Sequence, residues 1–199
     1  LNVANLAEAC ANKISANALL ARVGALHHDI GKIKNPSYFS ENQLSGQNLL
    51  DQISSKQSVE IIKSHVLNGV KIAKDYRLPD RIIDFIRTHH GTTTVEYFYK
   101  QYIDKYPKDK FDIEDFTYPG PKPFSKEMAI LMMADSAEAS ARSIKNPTAE
   151  NIDNLIEIVI NKQLKEDQFI DADITLKEIN QLKKLFKKKL VNIHHARIE

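Results

Sequence analysis

The sequence predicts an all-α fold, a bundle of seven or eight helices in the manner of a single domain. Three observations predict it. Apolar residues recur at spacings of three and four along most of the chain, Ser, Thr and Asn stand where such runs begin, and no stretch alternates apolar and polar residues as a strand would. The composition is that of an ordinary soluble domain: 199 residues, 42% hydrophobic and 27% charged, with six Gly, seven Pro and one Cys.

Val3, Leu6, Ala7, Cys10, Ala11 and Ile14 form one face of a first helix. Asn17 caps a second, through Leu19, Leu20, Val23 and Leu26, expected to end near Gly31 with Pro36 beyond it. Residues 34–54 mix Asn, Pro, Ser and Gly with scattered apolar groups and read as a long ordered loop, a length that is usually functional or disordered. Ser54 with Gln57 is a capping box opening a helix over Val59, Ile62, Val66, Val70 and Ile72. Pro79 suits the first turn of the next, whose Ile82, Ile83 and Ile86 lead into His89-His90-Gly91. A short aromatic helix lies around Tyr97, Phe98 and Tyr102, and residues 107–124, with four prolines, read as a second irregular excursion. Ser125 opens a helix over Met128, Ile130, Leu131, Met132 and Ala134 that stops before Pro147. Thr148 or Asn146 caps another over Ile152, Leu155, Ile156, Val159 and Ile160. Thr175 with Glu178 is a second capping box, starting a last helix through Ile179, Leu182, Phe186, Leu190 and Ile193.

The composition also excludes. Cys10 alone forms no internal disulfide, so a disulfide scaffold is ruled out and a reducing compartment fits. No apolar run approaches the ~20 residues of a membrane span, and these 199 residues are expected to carry no signal peptide. The 28 basic and 26 acidic residues leave a net charge of +2, which gives no reason to invoke a nucleic acid polymer. The start at Leu1, without Met or a cap, is expected of a fragment cut from a longer polypeptide.

The seven histidines carry the chemistry. Three adjacent pairs, His27-His28, His89-His90 and His194-His195, exceed what random placement gives. The informative set is His28-Asp29 at a helix end, His65 within a helix, His89-His90 at a helix end, and Asp135 inside the apolar run Ala129–Ala134. Imidazole and carboxylate together suit first-row transition metals. Six such ligands exceed the three or so of one catalytic site and fit a pair of ions, the arrangement that clamps both oxygens of a phosphoryl displacement. Gly31 and Gly91 place both His-containing pairs where the chain turns, and a carboxylate at Asp135 is costly unless paired, with Arg142 for example, or metal-bound. Lys32, next after Asp29-Ile30-Gly31, suits a phosphate as a point charge. Thr92, Thr93 and Thr94 offer donors at the rim. His27 is read as a neighbour. His194-His195 and the run Lys183, Lys184, Lys187, Lys188 and Lys189 are read as a solvated face.

These spaced His…His-Asp…Asp ligands on a helical fold resemble the HD superfamily of metal-dependent phosphohydrolases. More narrowly, several segments resemble the cytoplasmic HD domain of the seven-transmembrane HD receptor family, whose members hydrolyse cyclic di-AMP. The segments are Val3–Ala9, His28-Asp29-Ile30-Gly31-Lys32, Tyr38-Phe39-Ser40-Glu41-Asn42-Gln43, His89-His90-Gly91-Thr92-Thr93, Gly120-Pro121-Lys122-Pro123, and Ala134–Ala139 with Arg142-Ser143. The related group that cuts cyclic di-GMP follows its paired histidines with Glu and an Asp-Gly-x-Gly-Tyr-Pro run, which Gly91-Thr92-Thr93-Thr94 does not match. The ppGpp hydrolases lack the paired histidines with this glycine–threonine turn.

The resemblance implies that Asp29 bridges two metal ions, iron or manganese, with His65, His89 and His90 completing one and His28 and Asp135 serving the other. It implies catalysis by Asp29 and Lys32, attack of a metal-bound water or hydroxide on a phosphodiester, linear pApA as product, and substrate contacts from Lys32, Thr92, Thr93 and Arg142. It further implies a parent protein anchored in the membrane through an N-terminal region, a cytoplasmic position for this domain, and a possible homo-oligomer. Two features depart from the family. Its second ion takes a further histidine two residues before the position matching Leu1, and the stretch from Gly46 to Asp51 lacks a Pro-His pair. Phosphohydrolysis of another nucleotide, cyclic di-GMP or a nucleoside triphosphate, and a non-catalytic nucleotide-sensing module are the competing expectations.

Overall fold

The computed structural model describes residues 1–43, 49–107, 112–144 and 147–195, with the side chains of Ser40, His194 and His195 left out. Asn146 and residues 46–48, on which two sequence readings fall, lie outside the described residues, and the solvated-face reading of His194-His195 rests on side chains left out. The described residues form eight α-helices: α1 (Asn2–Lys13), α2 (Ala18–His27), α3 (Ser55–Asp75), α4 (Asp80–Thr88), α5 (Glu96–Lys105), α6 (Lys126–Arg142), α7 (Ala149–Lys165) and α8 (Leu176–His195). Among them no strand forms, only a single β-bridge between Thr94 and Thr117. The all-α expectation holds.

The caps fall where the sequence puts them. Asn17 Oδ1 accepts from the Leu20 N–H, Ser125 from Met128 and Thr148 from Asn151. Ser54 and Gln57 close a reciprocal capping box, and Thr175 and Glu178 close another. The second helix differs from expectation. It ends at His27, and Ile30–Lys34 is instead a 3-10 helix. The tighter winding continues through Pro36–Tyr38, Ser40–Asn42 and Leu49–Gln52, so the described part of the expected loop is a string of short 3-10 turns.

The residues group into two compact units. One comprises Leu1–His27 and Lys122–Glu199, the other His28–Pro121. In the first, α6 is the centre, with Met128 to Ala134 buried without interruption. Helices α1, α2 and α7 pack against it. Ile152, Ile156 and Ile160 of α7 and Leu182, Phe186 and Leu190 of α8 bury matching stripes. One reading is corrected here. Lys183 and Lys187 do not lie on a solvated face: Lys183 is 6% exposed, and its Nζ lies 2.8 Å from Glu157 and 2.6 Å from Asn161. Lys187 reaches Glu157 and Asp153 at 2.8 and 2.9 Å. They stand one turn apart beside the apolar stripe of α8, where carboxylates of α7 compensate their burial. Lys184, Lys188 and Lys189 are exposed as expected.

In the second unit α3 is the axis, packed by α4, α5 and the Ile30–Lys34 turn. Leu50, Val59, Phe98 and Phe116 form one buried cluster, and Ala73, Ile83 and Ile86 another. Gly31 lets the turn lie directly on α3: a Cβ there would meet the His65 carbonyl oxygen at 1.8 Å and the Gly69 nitrogen at 2.5 Å. That contact sets Asp29, two residues earlier, beside the middle of α3.

Candidate metal centre

Three polypeptide stretches bring the site together within the second unit. His28 and Asp29 form the turn after His27, His65 sits near the middle of α3, His89 is the C-cap of α4, and His90 follows it. Gly91 takes φ 50°, turning the chain at once behind His90. Backbone bonds fix that turn, with Val95 N–H donating to Phe116 and Tyr118 N–H to Thr93 at 2.8 and 2.9 Å.

The imidazoles are oriented by the main chain. His65 Nδ1 faces the Ile62 carbonyl, and His89 Nδ1 faces the Ile86 carbonyl at 2.7 Å. A carbonyl oxygen only accepts, so these bonds assign the Nδ1 proton to each ring. Both Nε2 atoms then present lone pairs toward one point, 3.1 Å apart. Asp29 Oδ1 lies 3.4 Å from the first and 3.7 Å from the second. Two lone pairs and a carboxylate oxygen converging at such distances repel one another unless a proton or cation stands among them.

His90 completes the group. Candidate ligand atoms of His65, His89 and His90 all lie within 4.8 Å of one another. Burial, with the positive charge that His89 and His65 can carry, pushes His90 well below its ordinary pKa, which keeps it neutral and able to ligate. Asp29 Oδ1 is buried and accepts no hydrogen bond among the described residues. An orphaned buried carboxylate oxygen is costly, and a metal ion is the partner that the surrounding imidazoles fit. The cluster can therefore hold a metal ion.

The other oxygen of Asp29 has different company. Oδ2 lies 3.1 Å from His28 Nε2 and 2.7 Å from Lys32 Nζ. Burial raises the Asp29 pKa, but the hydrogen bond and charge of His28, then Lys32 and His89, outweigh it and hold the carboxyl well below its ordinary range. For Lys32 burial works against the charge, and Asp29 with Glu41 reverses it, so the ammonium titrates above its usual value. Glu41 Oε1 is 2.6 Å from Lys32 Nζ. Asp29, Lys32, Ile33, Pro36, Glu41 and Asn42 line an open cavity of about 380 Å³ beside the cluster.

The remaining expected residues divide. Thr93 Oγ1 donates to the His90 carbonyl at 2.7 Å, so its proton holds the turn. Arg142 Nε pairs with Glu138 at 2.9 Å, one helical turn back on α6. Asp135 also lies on α6 and is half-buried. His27 Nδ1 bonds the Val23 carbonyl at 2.8 Å. The reading from residue chemistry missed three neighbours. Tyr118 stacks on His90 with centroids 4.2 Å apart, Phe39 meets His65 edge-on at 5.7 Å, and Glu41 holds Lys32. Phe39 and Glu41 stand in a family-like segment, whereas Tyr118 gives no local signal.

Residues 1–140 match the family model of the HD domain. The chain belongs to the HD domain family. This HD domain is 44% identical over 197 residues to the cyclic-di-AMP phosphodiesterase PgpH of Bacillus subtilis, covering 99% of the chain. It spans 27% of the length of that relative. The crystal structure of the HD domain of the L. monocytogenes phosphodiesterase PgpH matches with a TM-score of 0.92 at 44% identity, over 98% of this chain and 90% of that one. A crystal structure of that HD domain in complex with cyclic-di-AMP matches with a TM-score of 0.92 at 45% identity, over 96% and 89% of the two chains.

Proposed function

We propose that this HD domain is a metal-dependent phosphodiesterase that hydrolyses cyclic di-AMP to linear pApA. The observation that carries the reading is the split carboxylate of Asp29, one oxygen aimed between His65 and His89 and the other against the Lys32 ammonium. The substrate assignment is supported by the similarity to PgpH, a cyclic-di-AMP phosphodiesterase, and to the solved HD domain in complex with that nucleotide.

Asp29, His65, His89 and His90 would hold one ion. His28 and Asp135, with Asp29 shared, would serve a second, and iron or manganese suits this mixture of nitrogen and oxygen donors. Bound metal supplies Lewis acidity toward the phosphoryl oxygens and lowers the pKa of water at the site. The chain's own residues do the rest. Lys32 stays protonated beside Asp29 and Glu41, so it meets an incoming phosphodiester as a fixed positive charge. The Ile62 and Ile86 carbonyls keep the His65 and His89 protons on Nδ1, which leaves Nε2 as the donor atom. Tyr118 stacks on the His90 ring and Phe39 meets the His65 ring edge-on, which packs both imidazoles against aromatic carbon. Thr92, Thr93 and Arg142 are assigned to the nucleotide as its further contacts.

The same proposal places the 199 residues as one phosphohydrolase domain, on the cytoplasmic side, of a longer protein anchored in the membrane elsewhere, with self-association possible. No helix among the described residues is long and apolar enough to cross a membrane. Turnover of cyclic di-AMP and of cyclic di-GMP by manganese- or iron-loaded protein, with the product resolved by chromatography, tests the substrate. The expected result is pApA from the first. Cleavage of cyclic di-GMP with cyclic di-AMP left intact refutes it.

A further inference from the structure

We infer that Glu41 is a positioning residue that keeps the Lys32 ammonium in the cavity wall when a metal ion takes the charge of Asp29. The inference rests on the proposed metal-dependent reading of the same site and assigns a role to a residue outside the proposed ligand set.

Lys32 follows Asp29 by three residues in a 3-10 turn, a spacing that eclipses the two side chains. Left alone, its ammonium would fall on the nearest anion, and that anion is Oδ2 of Asp29, 2.7 Å away. A bound cation competes for the same carboxylate and repels the ammonium. A lysine with no other anchor would therefore either weaken the metal or leave the site. Glu41 is that anchor. Its Oε1 sits 2.6 Å from Nζ, and the ammonium also lies 5.1 Å over the centre of the Phe39 ring. Lys32 thus has a second carboxylate, itself lining the cavity, and an aromatic face, and both persist whatever binds Asp29. Glu41 is presented by the short 3-10 turn Ser40–Asn42, which has supports of its own. Asn42 Nδ2 donates to the Pro36 carbonyl at 3.2 Å and Gln43 Nε2 to the Ser37 carbonyl at 3.0 Å. A neutral amide of the same size at Glu41 keeps these two side-chain bonds and removes only the charge, so Gln is the probe.

The test is a double-variant cycle on the 199-residue chain: wild type, Glu41→Gln, Lys32→Ala and the pair. Two readouts are taken, Mn²⁺ affinity by competition with a chelator and kcat and KM on cyclic di-AMP, after melting curves establish that each variant folds. Glu41→Gln is expected to weaken Mn²⁺ about tenfold and to raise KM more than it lowers kcat, because the lysine returns to Asp29. In the Lys32→Ala background the same change is expected to shift Mn²⁺ affinity less than about twofold. Mn²⁺ affinity unchanged by Glu41→Gln overturns the inference. So does an equal loss with and without Lys32, which would mean that Glu41 acts by its own charge or through the fold. Wild-type protein that binds Mn²⁺ but does not turn over cyclic di-AMP would sink the substrate reading alone, and the metal arm of the cycle would still decide Glu41.

Discussion

Asp29 has three kinds of neighbour at once: imidazole nitrogens at Oδ1, a third imidazole at Oδ2, and an ammonium beside that third ring. At this scale the account separates holding from binding. Asp29 is ionised at any ordinary pH, since His28 and Lys32 hold it well below its usual range against the effect of burial. Lys32 contributes a positive charge to the wall of the open cavity, against the Asp29 oxygen that faces away from His65 and His89. Replacing Lys32 with Ala should lower kcat/KM on cyclic di-AMP about 10²-fold, the size expected from losing one preorganised charged donor. Mn²⁺ should bind the variant no more weakly than wild type. Steady-state kinetics beside a metal titration checks both, and a variant that loses metal together with rate would count against Lys32 as a substrate contact.

Each side chain depends on how its element is set. Gly31 sits where the Ile30–Lys34 turn lies on α3 with no room for a Cβ. Gly31→Ala should destabilise the protein by about 3 kcal/mol, because the atom in the way is main-chain oxygen and only a shift of the turn relieves it. The same shift moves Asp29, so Mn²⁺ affinity should fall with Tm. Thermal melting and metal titration would show both, and unaltered Tm would mean that the turn lies farther from α3. At the start of α8, Glu178 accepts from the Thr175 N–H and pairs with Lys126 at 2.7 Å. The Lys126 hydrogen bond first, and the Thr175 backbone next, lower its pKa to about 2. A depressed carboxyl pKa contributes stability above its unfolded value and loses it as pH falls through the folded one. Wild type should exceed Glu178→Gln by about 1 kcal/mol near neutrality, and the gap should close between about pH 4.5 and pH 2. Denaturant melts of both proteins across that window measure it, and a gap that stays constant with pH would contradict the pairing.

For the whole molecule, the helices were legible because each buries one stripe at a fixed period and begins on a side chain that satisfies free N–H groups. Ser54, Ser125, Thr148 and Thr175 announce four helices within a residue of where they start. Residues 30–42 were not legible, because successive 3-10 turns carry no apolar period to read. The residue types of the site could be read as well: His28, Asp29, His65, His89 and His90 do meet in pairs at short range. Tyr118 could not, because it reaches His90 from 28 positions away through the Thr93 and Thr94 pairing rather than by helical spacing. Lys183 and Lys187 were misread for the complementary reason. A lysine run looks solvated until the facing helix supplies Glu157 and Asp153.

The central claim is that Asp29 and the three imidazoles hold metal for phosphodiester hydrolysis. Equilibrium Mn²⁺ binding to wild type and Asp29→Ala, read as ions bound per chain, tests it most directly. The account predicts that the variant retains no more than a small fraction of the metal at a concentration that saturates wild type. Equal binding by the two proteins would contradict it.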